Sequence, residues 1–161
     1  MDSAASEVET RAKEFLSKRL TVTGVQRKLS LHLEGEKSNR LTIVGTLGGN
    51  FIMKPQSADY GQMPENEDLC MHLAKICGIQ TAQHGLIPMK DGTLAYVTKR
   101  FDRKGKTKLA VEDLCQLSDL LTEQKYRASH EKTGKVIRQF SSIPGDDILR
   151  YFELIVFSFV T

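Results

Sequence analysis

Lys54 ends the apolar run Phe51-Ile52-Met53, and a lysine held there by hydrophobic neighbours can set its ammonium against a phosphate group. A strand-end lysine can equally reach solvent along its methylene stem. Glu67, in the next helical segment, is placed to orient such a lysine or to serve as a partner of that helix's dipole. Upstream, Thr21-Val22-Thr23-Gly24-Val25-Gln26-Arg27-Lys28 is a turn with one glycine, two hydroxyls and a terminal lysine. Glycine lets backbone N–H groups come close to an anion, and the hydroxyls and Lys28 add further contacts. The Gly-Lys-Ser/Thr core of a Walker A loop is absent, and a loop with one glycine is also an ordinary turn. Downstream, Val97-Thr98-Lys99-Arg100-Phe101-Asp102-Arg103 passes from a strand into a linker. A backbone leaving a sheet offers one C=O and one N–H side by side, the pair that an adenine edge needs; a plain strand end has the same sequence character.

The elements that must position these residues are legible from periodicity. Ser6 and Glu9 have capping-box spacing ahead of Val8, Ala12, Phe15, Leu16 and Leu20, which predicts a helix over 1–20. Leu29, Leu31 and Leu33 alternate with Ser30 and His32 as in a strand, and Arg40 to Val44 and Asn50 to Lys54 read as two more. Pro55 closes the run because it cannot donate to a ladder. Pro64 to Ile76 reads as a helix, with acidic Glu65, Glu67 and Asp68 near its start, Gly78 as its stop, and Leu69, Leu73, Ile76 and Cys77 as its apolar stripe. Strands follow over His84 to Met89 and Thr93 to Arg100, joined at Asp91-Gly92, a hairpin signal. This order predicts an α+β architecture, an antiparallel sheet with a helix packed on it. Beyond it, Lys99 to Lys108 has six Lys or Arg and one Asp and reads as a solvated loop. Val111 to Leu121 reads as a helix, Tyr126 to Gly134 as a polar loop, and Val136 to Phe140 as a short helix or turn. A last helix from Asp146 is apolar almost all round, which belongs in the middle of a larger core and predicts that the chain stops short of one.

Composition excludes several classes. Apolar residues at 40% and charged ones at 27% fit a globular chain rather than a disordered one. A net charge of +3 is too small to mark a dedicated nucleic-acid binder. Cys70, Cys77 and Cys115 lack paired metal-ligand spacing and suit a reducing cytoplasm, so the sequence points to no metal site. The polar, acidic N-terminus is not a signal peptide, and the apolar stretch Tyr151 to Val160 is too short to span a membrane.

Five motifs, in order, resemble those of HipA-like serine/threonine protein kinases: Thr23-Gly24-Val25-Gln26-Arg27-Lys28, Glu65-Asn66-Glu67, Arg100-Phe101-Asp102-Arg103, Glu112-Asp113-Leu114-Cys115-Gln116 and Lys125-Tyr126. The likeness covers nearly all of Leu20 to Thr161. It implies a protein-kinase-like N-lobe over 21–103, followed at 104–161 by the first helices of an incomplete helical C-lobe. The implied ligands are ATP and Mg²⁺. Thr23, Gly24, Val25, Gln26, Arg27 and Lys28 would wrap the phosphates, Lys54 would contact them, and Lys99, Arg100 and Phe101 would hold adenine through their backbone. Thr21 stands where the family has an autophosphorylatable serine, with Thr23 as a second candidate. Implied partners are a HipB-like DNA-binding antitoxin and a protein substrate such as an aminoacyl-tRNA synthetase. Only twenty residues precede the loop, as in the short, split-type forms in which a separate small HipS-like protein supplies the missing subdomain. The family's Asp-x-His-x-x-Asn motif does not occur: none of His32, His72, His84 and His130 has the required neighbours. No catalytic or metal-binding residue is therefore assigned, and these residues alone are expected to transfer no phosphate. The alternative reading is a non-catalytic module whose basic stretch Lys99 to Lys108 binds nucleic acid or an acidic partner.

Overall fold

A computed structural model of the chain describes residues 28–34, 41–44, 48–105, 107–121, 124 and 127–161. The helix expected over 1–20, the loop from Thr21 to Arg27 with both candidate phosphorylation sites, and Lys125-Tyr126 lie outside the described residues.

Five strands form one antiparallel sheet: β1 (Leu29–Leu33), β2 (Leu41–Val44), β3 (Phe51–Pro55), β4 (His84–Pro88) and β5 (Leu94–Lys99), in the order β2-β1-β3-β5-β4. The alternation read in the sequence sets the two faces. Leu29 and Leu31 of β1, Ile43 opposite Leu31, Met53 opposite Leu29, and Val97 opposite Met53 point one way, and with Ala95 they form the buried cluster. The other face carries Ile52, Lys54, Tyr96, Thr98 and His84, since Lys54 pairs with Tyr96 and His84 with Thr98. Pro55 ends β3 opposite Ala95, and Gly92, at φ 82°, makes the β4–β5 turn.

Helix α1 (Met63–Ile76) packs on this second face against β4 and β5. Pro64 occupies its first turn. At the other end Gly78, at φ 81°, bonds Lys75 O at 3.1 Å while Ile79 N bonds Ala74 O at 2.9 Å, a Schellman closure. The expected stripe is not the buried one. Ile76 is 81% exposed and Leu69 57%, whereas Pro64 and Ala74 are buried with Glu67, Cys70 and Met71 half-buried beside them. The helix is turned so that Glu67 faces the sheet, where Lys54 receives it.

The stretch after β5 also differs from the expected solvated loop. Asp102 is buried, and a small hairpin of β6 (Arg103–Lys104) and β7 (Thr107–Lys108) turns at Gly105. The helix expected over Val111 to Leu121 contracts to α2 (Leu114–Leu117), because Asp113 and Gln116 form a capping box at its start and Asp119 takes φ 52° just beyond it. Conversely α3 (His130–Phe140) absorbs part of the expected polar loop: Ser129 caps it by accepting from Lys132 N at 3.2 Å. Helix α4 (Pro144–Val160) starts two residues earlier than read, on Pro144, and lies against α3, with His130 Nδ1 and Tyr151 Oη 2.9 Å apart. No helix among the described residues is long and apolar enough to cross a membrane.

Candidate functional site

Lys54 and Glu67 meet. The lysine stands near the end of β3 on the face that α1 covers, and its Nζ donates to Glu67 Oε1. Both side chains are about three-quarters buried, so the pair is less screened than a surface ion pair and removing one partner strands the other. Beneath it lies Tyr96, directly across the ladder from Lys54, with the ammonium 5.5 Å from the ring centroid. Burial first, then the negative charge of Glu67 and Asp68, pushes the Tyr96 phenol up to about 12 despite the opposing hydrogen bond with Thr98, so it stays protonated. Of the two roles that the sequence left open for Glu67, lysine partner or helix-dipole partner, the structure shows the first: its carboxylate accepts from Lys54.

The ladder also places the edges of the site. Leu29 pairs with Met53, so Lys28, one residue before Leu29, enters the sheet beside the Lys54 end of β3. Lys99 lies three residues beyond Tyr96 on β5, about 10 Å along the strand. The sheet uses part of that segment's backbone. Lys99 N donates to Gln83 O and Arg100 N to Asn50 O, each at 2.8 Å, and Lys99 Nζ reaches Gln83 Oε1 at 3.1 Å. Two of the three amides expected to face an adenine, those of Lys99 and Arg100, are thus taken by backbone carbonyls. The Phe101 ring itself is 76% exposed.

Asp102, expected in a solvated loop, is the anchor of this turn. Arg100 grips it with Nε on Oδ1 at 2.8 Å and Nη2 on Oδ2 at 2.7 Å, and Arg103 Nη1 donates to the same Oδ2. Bidentate contact with one guanidinium and a second cation behind it hold its carboxyl down to about 2, the Arg100 hydrogen bonds contributing most. The Arg-x-Asp-Arg spacing was the available signal; the burial that makes it matter was not. Tyr96 carried no signal beyond its place in an alternating strand.

A lysine fixed by a helix glutamate on a five-stranded antiparallel sheet is the constellation that protein kinases use to hold phosphates. Comparison with known proteins agrees: the family model described as HipA-like C-terminal domain matches residues 20–161. The chain belongs to that family. It is 30% identical over 154 residues to the protein named "Putative kinase Y4dM" of Sinorhizobium fredii, covering 87% of this chain and 37% of that one. A protein named "Putative kinase" of Haemophilus influenzae is 29% identical over 93 residues, covering 55% of this chain and 26% of its own length. Among solved structures, a chain of the Shewanella oneidensis toxin–antitoxin complex of HipA, HipB and operator DNA superposes with a TM-score of 0.64 at 23% identity, over 95% of this chain and 42% of the other. This HipA-like chain therefore spans roughly a quarter to two-fifths of the proteins it matches, and within that span it has the HipA fold.

Proposed function

We propose that these residues form the nucleotide-holding lobe of a HipA-like kinase that transfers phosphate from ATP to serine or threonine of a protein. The Lys54–Glu67 pair carries the reading, because a lysine committed to a helix glutamate inside a lobe is costly as mere stability and is what phosphate positioning requires. In this reading Lys54 contacts the phosphates, and the residues from Thr23 to Lys28 take the phosphate-wrapping role that the resemblance implies for them. The Phe101 amide and neighbouring carbonyls hold the base. Mg²⁺, when bound with ATP, neutralises charge developing on the phosphates. The family's Asp-x-His-x-x-Asn motif does not occur in these residues, so in this reading they bind nucleotide without turning it over. The HipB of the Shewanella complex suggests an antitoxin of that kind as partner.

The alternative of a basic interaction loop has fewer cations to draw on than the sequence offered. Arg100 and Arg103, two of the six cations between Lys99 and Lys108, are spent on the Asp102 carboxylate and are about nine-tenths buried.

Calorimetric titration with a non-hydrolysable ATP analogue and magnesium tests the proposal. Weak binding is expected for the chain, falling at least tenfold in Lys54→Met and by a smaller factor in Glu67→Gln, with far-ultraviolet dichroism unchanged. Equal affinity for wild type and Lys54→Met would remove the lysine from the site and the proposal with it.

A further inference from the structure

One residue beyond Glu67, α1 carries a second cluster that the Lys54 site does not use. Asp68 and His72, four apart, share a face of the helix, and His84 opens β4 beside them. The two imidazoles approach different oxygens of one carboxylate: His84 Nδ1 lies 2.8 Å from Asp68 Oδ1, and His72 Nδ1 lies 3.4 Å from Asp68 Oδ2. One donor atom from each of the three residues lies within 4.8 Å of the others, and the rings meet edge-on with centroids 4.7 Å apart. We propose that Asp68, His72 and His84 bind a divalent transition-metal cation of the zinc class, tying the helix to the sheet.

The chemistry selects that class. Two imidazoles and one carboxylate are borderline ligands suited to Zn²⁺, Co²⁺, Ni²⁺ or Cu²⁺, and they offer too few oxygens for Mg²⁺ or Ca²⁺. Zinc bonds of about 2.0–2.2 Å in a tetrahedral arrangement bring ligand atoms to roughly 3.3 Å from one another. The separations of 2.8 and 3.4 Å are to the two different oxygens of Asp68, and with the three donor atoms within 4.8 Å of one another the side chains must draw together by up to about 1.5 Å to reach that value. The ligands differ usefully in freedom. His84 is 5% exposed and Asp68 17%, and the His84 ring stacks on Tyr96 at 5.9 Å, which fixes its plane. His72 is 59% exposed and can swing to close the site. It now bonds the Asp68 carbonyl oxygen through Nδ1 at 2.9 Å, and ligation through that nitrogen moves its proton to Nε2. An open groove of about 930 Å³, lined by His72, Gln83, His84 and Phe101 among others, gives the ion an entry path and a water its fourth position. Since Glu67 precedes Asp68, an ion here would also steady the helix segment that presents Glu67 to Lys54. The site itself does not depend on the nucleotide reading.

Without an ion the same side chains form a hydrogen-bonded brace, and the experiment separates the two. The tag-free chain is titrated with Zn²⁺ by calorimetry and with Co²⁺ by visible absorption. One ion per chain is expected, together with cobalt ligand-field bands that lack thiolate charge transfer, which excludes Cys70, Cys77 and Cys115 as ligands. His72→Ala, a change at an exposed side chain, should weaken binding at least tenfold with the far-ultraviolet dichroism kept, and millimolar Mg²⁺ should not compete. No binding, thiolate absorption, or an affinity that His72→Ala leaves unchanged would each overturn the proposal. His84→Gln serves as a second variant if it folds; His72→Ala decides the matter if it does not.

Discussion

Asp102 shows how much one carboxylate can carry when the fold buries it between two guanidinium groups. Its carboxyl is depressed from 3.8 to about 2, so the unfolded chain binds its proton more readily than the folded one. The stability this contributes is on the order of 2 kcal/mol, fully present above about pH 4 and lost as pH falls from there towards 2. Asp102→Asn should remove that contribution and leave Arg100 and Arg103 facing a neutral amide. Urea unfolding of the variant at neutral pH should show a loss of about 2 kcal/mol or more, and its stability should fall less than wild type's between pH 4 and pH 2. Parallel pH profiles for the two proteins would show that Asp102 is not the titrating anchor. At Lys54 the burial of the ion pair with Glu67 is what the proposed phosphate-holding role would explain.

At the scale of elements, the loop into β3 is held by a close approach that only glycine allows. Gly49 sits at φ 81°, and a Cβ there would overlap the Leu31 carbonyl oxygen and come within 2.6 Å of Ser30 Oγ. Ser30 Oγ already donates to Gly48 O, and Asn50 N bonds Leu31 O at 2.9 Å, so neither neighbour can retreat without breaking the β1–β3 join. Gly78 has the same φ of 81° with open space where its side chain would stand. Gly78→Ala should therefore cost about 1–2 kcal/mol, the backbone term alone. Gly49→Ala should cost clearly more, because overlap adds to the same backbone strain. Thermal melts of both variants decide this. Equal shifts would mean that the loop relaxes away from β1, contrary to the packing described.

For the molecule as a whole, α4 presents Leu149, Phe152, Val156 and Phe159 along one side, exposed by 59%, 60%, 46% and 90%. Contiguous apolar surface of this kind seeks cover. The 161-residue chain should self-associate with rising concentration in sedimentation velocity, and the double variant Phe152→Ser, Phe159→Ser should sediment as a monomer. A wild-type chain that stays monomeric at high concentration would show that this face is not adhesive. The proteins it matches are more than twice its length, and the additional chain in them is the natural candidate for covering such a face.

Local pattern alone determined the sheet and its punctuation. Strand alternation placed β1 to β5 within a residue or two, Pro64 and Gly78 bounded α1, and Asp91-Gly92 set the hairpin, because each signal acts through neighbours in the chain. The apolar run Phe51-Ile52-Met53 likewise singled out Lys54, and motif order pointed to the HipA-like family, before any contact was known. Tertiary structure decided what required distant partners. The apolar stripe read for α1 was Leu69, Leu73, Ile76 and Cys77, yet the helix turned Glu67 inward, since Lys54 approaches from β3 and hydropathy cannot register an ion pair. Asp102 looked solvated until two arginines closed over it. The lengths of α2 and α3 followed from the caps at Asp113 and Ser129 rather than from apolar spacing. His84 reached Asp68 only because β4 runs beside α1: sixteen residues separate them in the chain, while the fold leaves 2.8 Å between their polar atoms.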